Sequence, residues 1–284
     1  MHIATIRFMS KALFMPTEVT VLLPEESRKP GEKLKAVWLL HGACGDHKTF
    51  LYQVDFDRIL RKHHAAVIMP SALNSDYVDY ERFGTGYRFT KYFFEELMPF
   101  AQSTFGVSER REDNFIEGVS MGGFGAMSLG LLHPEKFVAI GMLGASLRES
   151  RFLKDYEEKS TEEFRADALS KPQAFPTEYG AKEVGIKPKE VNVITRYATV
   201  REFLDSPDCA WNRLPEVAAR GELPYIYAAC GTADLFYEAN LRLRERMREL
   251  GVEEKAYFRF PEGVGHDNAF FGQEIENFMD CFEI

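Results

Sequence analysis

The sequence predicts an α/β protein: a mostly parallel central sheet with helices packed on both of its faces. Three observations carry that expectation. After two leading β-rich runs, short apolar strands alternate with amphipathic helices to the end of the chain, an order that a parallel sheet with crossover helices satisfies. Several strands, such as Leu34 to Leu40 and Ala65 to Pro70, are apolar nearly without a break, as strands buried on both faces are. Asn114 to Ala126 reads as a strand, a sharp turn at Gly118-x-Ser120-x-Gly122, and a helix that begins at once.

Taken in order, Ile3 to Leu13 and Thr17 to Leu23 suit antiparallel strands at a sheet edge, punctuated by Pro16 and Pro24. Leu34 to Leu40 ends in His41-Gly42. Phe50 to His63 is expected to be helical, with Leu51, Val54, Ile59 and Leu60 inward, and Ala65 to Pro70 to be a buried strand. A polar, Tyr-rich loop fills Ser71 to Tyr87. Phe89, Phe93, Leu97 and Phe100 then recur on one helical face. Phe115 to Val119 is the strand before the serine turn. Met121 to Leu132 is a helix apolar on most sides, and Phe137 to Leu143 is the next strand. Ser146 to Gly221 changes character, charged and helical over Arg148 to Lys159, loop-rich around its prolines, and helical again over Trp211 to Arg220. Residues 1–284 are therefore read as a single domain, with 146–221 an insertion that either partly covers the site or decorates the surface. The core resumes with Pro224 to Ala229, a helix from Phe236 to Leu250 closed by Gly251, a strand over Glu254 to Phe260, and a last helix over Asp267 to Ile284.

With 284 residues, 45% hydrophobic and 28% charged, the chain has the composition of a globular protein with a sizeable core. A net charge of −9 argues against a nucleic-acid partner. No run approaches the ~18 apolar residues of a membrane span, and no secretory signal is visible at the N-terminus. Cys44, Cys209, Cys230 and Cys281 are scattered without CxxC spacing. That predicts free thiols, a cytoplasmic location and no zinc site.

In an open α/β sheet, function collects at the carboxyl ends of the strands. Four such ends carry chemistry: His41-Gly42, Ser120, Asp234 and His266. A serine on a strand–turn–helix is exposed to attack a carbonyl. Ser120 needs a base, and His266 can take its proton near neutral pH. Asp234 would bind the other imidazole nitrogen and fix its tautomer. Asp267 and Asp208 are the rival acids, and Asp267 is expected to cap the last helix instead. The oxyanion hole is expected from the N–H of Met121 and from the His41-Gly42-Ala43-Cys44-Gly45 loop, Ala43 first and Gly42 second. His41, Asp46 and His47 have the wrong spacing for a closed metal site. His41 is read as bracing the loop, and His63-His64 as exposed at a helix end. Tyr77, Tyr80, Phe83, Tyr87 and Trp211 are candidates for lining an acyl or sugar pocket, against the plainer reading of core packing.

These residues also form recognisable motifs. Leu39-Leu40-His41-Gly42-Ala43-Cys44-Gly45-Asp46, Gly118-Val119-Ser120-Met121-Gly122-Gly123-Phe124-Gly125-Ala126, Cys230-Gly231-Thr232-Ala233-Asp234 and Gly265-His266-Asp267 resemble the HGxxGD, GxSMGGxGA, GTxD and GHD elements of the esterase D-like family of α/β-hydrolases. The chain is most similar to its bacterial tributyrin-esterase branch. The resemblance implies the α/β-hydrolase fold, hydrolysis of short-chain acyl, acetylated-carbohydrate or feruloyl esters, and no metal or cofactor. S-formylglutathione hydrolases form a sibling branch, whose Gly-Ala-Gly-Phe-Tyr signature is missing from the loop Asn74 to Tyr87. Phe271 stands where the tributyrin branch usually has Trp, and with Cys44, Tyr87 and Trp211 it is taken as a candidate substrate contact. The expected reading is a serine carboxylesterase acting on a small-molecule acyl ester, with homo-oligomerisation left open. Thioester hydrolysis or acyl transfer on the same triad is the alternative. A catalytically dead binding protein is the alternative outside enzymes, and it predicts a broken triad.

Overall fold

The computed structural model describes residues 1–25, 31–80, 86–147, 160, 163 and 197–284. Eight strands form one sheet in the order β1-β2-β4-β3-β5-β6-β7-β8. They are β1 (His2–Ser10), β2 (Met15–Leu23), β3 (Lys35–Leu40), β4 (Ala65–Pro70), β5 (Asn114–Val119), β6 (Ala139–Leu143), β7 (Tyr225–Ala229) and β8 (Ala256–Arg259). β1 pairs antiparallel with β2, and β2 with β4; every pair from β4 to β8 is parallel. This is the sheet the sequence predicts, with β1 the outer edge and β2 already inside it.

Alternation along the strands divides the core. Ala36, Trp38 and Leu40 of β3 face one layer, while Val37 and Leu39 face the other. The first layer packs against three helices. They are α2 (Phe89–Lys91, continuing through a π-helical stretch Tyr92–Leu97 into Met98–Phe105), α3 (Met121–Leu132) and α6 (Tyr237–Glu249). α5 (Ala210–Ala219) joins them through Leu214 and Val217. The second layer packs against α1 (Phe56–Lys62) and α7 (Asn268–Cys281). Large side chains such as Trp38, Phe93, Phe124 and Phe278 are fully buried, each stabilising the fold by roughly 1.5–3 kcal/mol relative to exposure.

The helix expected over Phe50 to His63 is divided. A 3₁₀ turn, Thr49–Tyr52, precedes α1, which starts afresh because the Asp55 carboxylate accepts the Arg58 N–H at 3.1 Å. His63 is not exposed either. The C-terminal end of the chain folds over it, and its ring bonds the Ile284 carbonyl at 2.9 Å and Asp280 at 2.7 Å. At the other end of the chain the caps are as expected. Gly251 takes a φ of 68° after α6, and the Asp267 carboxylate accepts from Ala269 N and Phe270 N at the start of α7. The expected helix over Arg148 to Lys159 lies outside the described residues.

The strand order places β3 between β4 and β5, so chain direction across the sheet reverses there. A crevice opens at the carboxyl ends of the strands at such a switch point. The loop after β3 and the turn after β5 flank that point.

Candidate active site

Ser120 follows β5 with φ 56° and ψ −114°, a conformation that costs an L-residue of the order of 1–3 kcal/mol. Close packing holds it there. A Cβ on Gly122 would fall 2.1 Å from the Leu40 carbonyl oxygen, so the first turn of α3 lies directly on the end of β3. The Ser120 N–H donates to the Leu143 carbonyl at 2.8 Å, and its own carbonyl accepts from Phe124 N and Ser146 N. The elbow is thus clasped between the exits of β3 and β6, with the serine side chain at the head of α3.

Asp234 lies beyond β7 with its side chain fully buried. Its Oδ1 accepts the Phe236 N–H at 2.8 Å and its Oδ2 meets His266 Nδ1 at 2.7 Å. It therefore does two things that sequence reasoning treated as alternatives: it caps the turn into α6 and it pairs with the histidine. Burial first, and then the charge of this carboxylate, push the Cys230 thiol far above its usual range. His266 is brought in by a second loop stitched to the first. Ala233 N bonds Val264 O at 3.0 Å, Thr232 N bonds Pro261 O at 3.0 Å, and Gly263 N bonds Thr232 Oγ1 at 2.9 Å. A Cβ on Gly231 would lie 2.0 Å from the Val264 oxygen, so the two loops touch backbone to backbone.

The acid reaches across the end of β6 toward the elbow. Asp234 Oδ2 lies 3.0 Å from the position a Cβ on Gly144 would take, and Gly144 directly follows the Leu143 that accepts the Ser120 N–H. Asp234 and His266 are joined in this structure; among the described residues no hydrogen bond links Ser120 Oγ to the ring. In many enzymes that bond tightens only once substrate is in place. The rival acids are engaged elsewhere, Asp267 as the cap of α7 and Asp208 with the Tyr197 hydroxyl.

The other flank is the loop after β3. His41 is buried, and its partners decide its tautomer. The Gly42 carbonyl can only accept, so Nδ1 carries the proton at 2.7 Å; the Ala72 N–H can only donate, so Nε2 accepts at 2.9 Å. Desolvation by burial is the largest influence and takes its pKa down to about 4, so the ring stays neutral. Its effect on the loop follows from peptide planarity. The Gly42 carbonyl and the Ala43 N–H belong to one trans peptide and point in opposite directions. Pinning that oxygen, with help from Gly45 N at 3.2 Å, turns the Ala43 N–H away from His41. Beyond Ala43 the loop donors are occupied: Cys44 N by Asn74 Oδ1 at 2.7 Å, Asp46 N by Thr49 Oγ1, and His47 N by Ser71 Oγ. Among the described residues, Gly42, Ala43 and Met121 keep their N–H groups without an acceptor. Gly42 sits against the serine, its built Cβ 3.4 Å from Ser120 Cβ.

The substrate-contact candidates divide. Cys44 is exposed in the loop after β3, in a left-handed conformation with φ 64°. Trp211 is half-buried and packs with Val78, Tyr80 and Phe124. Tyr87 packs edge-on against Phe89 at 6.3 Å. Phe271 is 1% exposed and meets the His266 ring edge-on, centroids 4.9 Å apart. Tyr77 is also buried; its hydroxyl donates to the His41 carbonyl at 3.0 Å. Phe83 lies outside the described residues. Sequence reasoning missed Asn74 and Phe236. Asn74 has no signal at sequence level, because its acceptor role depends on a neighbouring loop. His41 and His47 direct their ring nitrogens to Gly42, Ala72 and Thr20.

This sheet, its elbow serine and the acid–histidine pair define a serine esterase on an α/β-hydrolase fold. Within that class the chain belongs to the family whose model, described as "Putative esterase", matches residues 10–192. It is 28% identical over 290 residues to the acetyl esterase of Caldicellulosiruptor saccharolyticus, spanning 98% of this chain and 96% of that one. Among solved structures, it superposes on the fluorophosphonate-binding serine hydrolase FphF of Staphylococcus aureus with a TM-score of 0.73 at 24% identity, over 99% and 98% of the two chains. The S-formylglutathione hydrolase FrmB of the same organism gives 0.72 at 24% identity, over 99% of both chains. No helix among the described residues is long and apolar enough to cross a membrane.

Proposed function

We propose that this esterase hydrolyses short-chain acyl esters, acetyl esters first, with Ser120 as nucleophile, His266 as base and Asp234 as the acid that orients it. The observation that carries this is the His266 Nδ1 to Asp234 Oδ2 bond of 2.7 Å at the strand ends beside the strained serine elbow. In the forward half, His266 Nε2 takes the Ser120 proton as Oγ bonds the acyl carbon. The same proton then leaves with the alcohol as the ester C–O bond breaks. Water, deprotonated by the same nitrogen, releases the acid in the second half. The oxyanion of each tetrahedral intermediate takes the Met121 and Ala43 N–H groups, with Gly42 in reserve. The acetyl preference rests on the acetyl esterase relative.

The chain is read as one domain in which the described part of the 146–221 insertion, residues 197–221, covers part of the site, most of its remainder lying outside the described residues. Supporting this, α4 (Val200–Leu204) and the start of α5 cluster with Phe124, on the first turn of α3 beside the serine. Four free cysteines suit the cytoplasm. The test is rapid fluorophosphonate labelling, lost in Ser120→Ala, together with a p-nitrophenyl ester series from acetate to octanoate run beside S-formylglutathione. Absence of labelling in folded protein refutes the reading. A rate on the thioester above that on acetate moves the substrate class.

A further inference from the structure

We infer that Phe271 is a positioning residue: together with Phe236 it clamps the His266 imidazole in the orientation its bond to Asp234 demands. The purpose of the clamp rests on the esterase reading; its geometry does not. His266 is held to Asp234 by one side-chain hydrogen bond and is 26% exposed. A single bond leaves the ring free to swing about its own line. Two phenyl rings remove that freedom. Phe271 meets the imidazole with centroids 4.9 Å apart and planes at 74°, and Phe236 meets it at 5.6 Å and 75°. Both are the edge-on geometry that aromatic pairs prefer.

Neither ring can easily retreat. Phe271 is 1% exposed and is backed by the end of β6: a Cβ on Gly144 would fall 2.7 Å from its Cζ and 3.0 Å from Asp234 Oδ2. Gly144 has φ 52°, a left-handed conformation that glycine adopts without strain, and the missing side chain is the space the ring tip fills. Phe236 is tied on the far side by its own N–H to Asp234 Oδ1 at 2.8 Å. The contacts close a circuit through Gly144, Phe271, His266, Asp234 and Phe236. Phe271 also rides on α7, whose capping residue Asp267 adjoins His266, so the helix that ends the histidine loop also delivers the ring behind it. Phe271 therefore acts on the base, and substrate does not touch it.

The experiment compares Phe271→Leu and Phe236→Leu with the parent protein. It measures kcat and KM on p-nitrophenyl acetate, cooperative thermal unfolding, and the downfield proton NMR signal of the histidine Nδ1–H. Phe271→Leu is expected to lower kcat at least tenfold with KM within twofold, and to broaden or shift that signal upfield. Phe236→Leu does the same to a smaller extent, and reads the clamp on a less buried ring should Phe271→Leu fail to fold. A kcat within twofold of the parent with an unchanged signal overturns the inference. So does a tenfold rise in KM at constant kcat, which would make Phe271 a substrate contact. If the parent hydrolyses no ester, the esterase reading fails, and the NMR comparison still decides the clamp.

Discussion

Glu117 lies in β5, three residues before Ser120, and is fully buried. Its side chain crosses over Gly141 of β6, where a Cβ would meet Glu117 Cγ at 2.7 Å. It is directed toward a polar cluster beneath α7. There Glu274 accepts from the Tyr227 hydroxyl at 2.6 Å, from Arg259 Nε at 2.9 Å and from Asn277 Nδ2 at 3.0 Å. Glu274 is thereby compensated, while among the described residues both Glu117 oxygens lack a partner. Burial first, and the Glu274 charge second, hold the Glu117 carboxyl far above the usual carboxylate range, so in the fold it is a neutral acid. The sign follows. The folded chain keeps a proton that the unfolded chain gives up above pH ~4.3, so this group's contribution to stability falls as pH rises through that window. The fall ends only where the folded-state group itself ionises. Each pH unit within the window takes ~1.4 kcal/mol. Glu117→Gln cannot ionise and escapes the penalty. Urea unfolding of both proteins at half-unit steps from pH 4.5 to 8 measures the effect. The two should be close at the acid end, and the variant should gain ~1.4 kcal/mol per pH unit above it. Carboxylates remote from Glu117, such as Asp280 beside Lys62 and His63, are the same in both proteins and cancel in the difference. A difference that stays constant across the range refutes the account of Glu117 as a protonated core residue.

Three further outcomes follow from the site. Asp234→Asn should lower kcat by about 10⁴-fold, whereas Asp267→Asn, which keeps a capping side chain, should stay within a few-fold in the same ester assay. His41→Phe keeps a buried ring but removes the shorter of the two hydrogen bonds to the Gly42 carbonyl, so kcat should drop on the order of 100-fold with KM little changed; an unaltered kcat would show that Ala43 needs no such brace. Gly231→Ala puts a methyl 2.0 Å from the Val264 oxygen, prying apart the acid and histidine loops. It should cost ~3 kcal/mol in unfolding free energy and nearly all activity at temperatures where the protein remains folded.

The parts of the fold legible in the sequence were those governed by short-range pattern. Uninterrupted apolar strands, the Gly-x-Ser-x-Gly turn and the chain order of serine, acid and histidine fixed the sheet, the elbow and the partners of Asp234. The Asp267 cap followed from the same local logic. What escaped depended on distant segments. His63 read as a helix-end residue because nothing near it shows that the chain's C-terminal end returns to cover it. The packing of Phe271 was not legible either, because Gly144, which its ring tip meets, lies more than a hundred residues away in the chain. The divided helix before α1 escaped for a different reason: the apolar spacing runs through Asp55, and only the cap geometry reveals the restart.

The backbone itself marks the same place as the side chains. Of the described non-glycine residues with positive φ, Cys44, Leu73, Asp76, Tyr77 and Ser120 all follow β3, β4 or β5. At roughly 1–3 kcal/mol each, this is a large concentration of strain, and the surrounding contacts account for its persistence. Asn74 Oδ1 accepts the Cys44 N–H, the Tyr77 hydroxyl donates to the His41 carbonyl, and the Tyr77 ring packs where a Cβ on Gly125 would lie, 2.5 Å from Cδ2. The loop after β4 thus braces the loop after β3 and leans on α3, the helix that begins at the serine. Strain in three loops that brace one another fixes the Ala43 N–H and the Ser120 side chain relative to each other before any substrate binds. Stabilisation of a developing oxyanion requires that order of events, because donors that had to reorganise during the reaction would return much of their benefit.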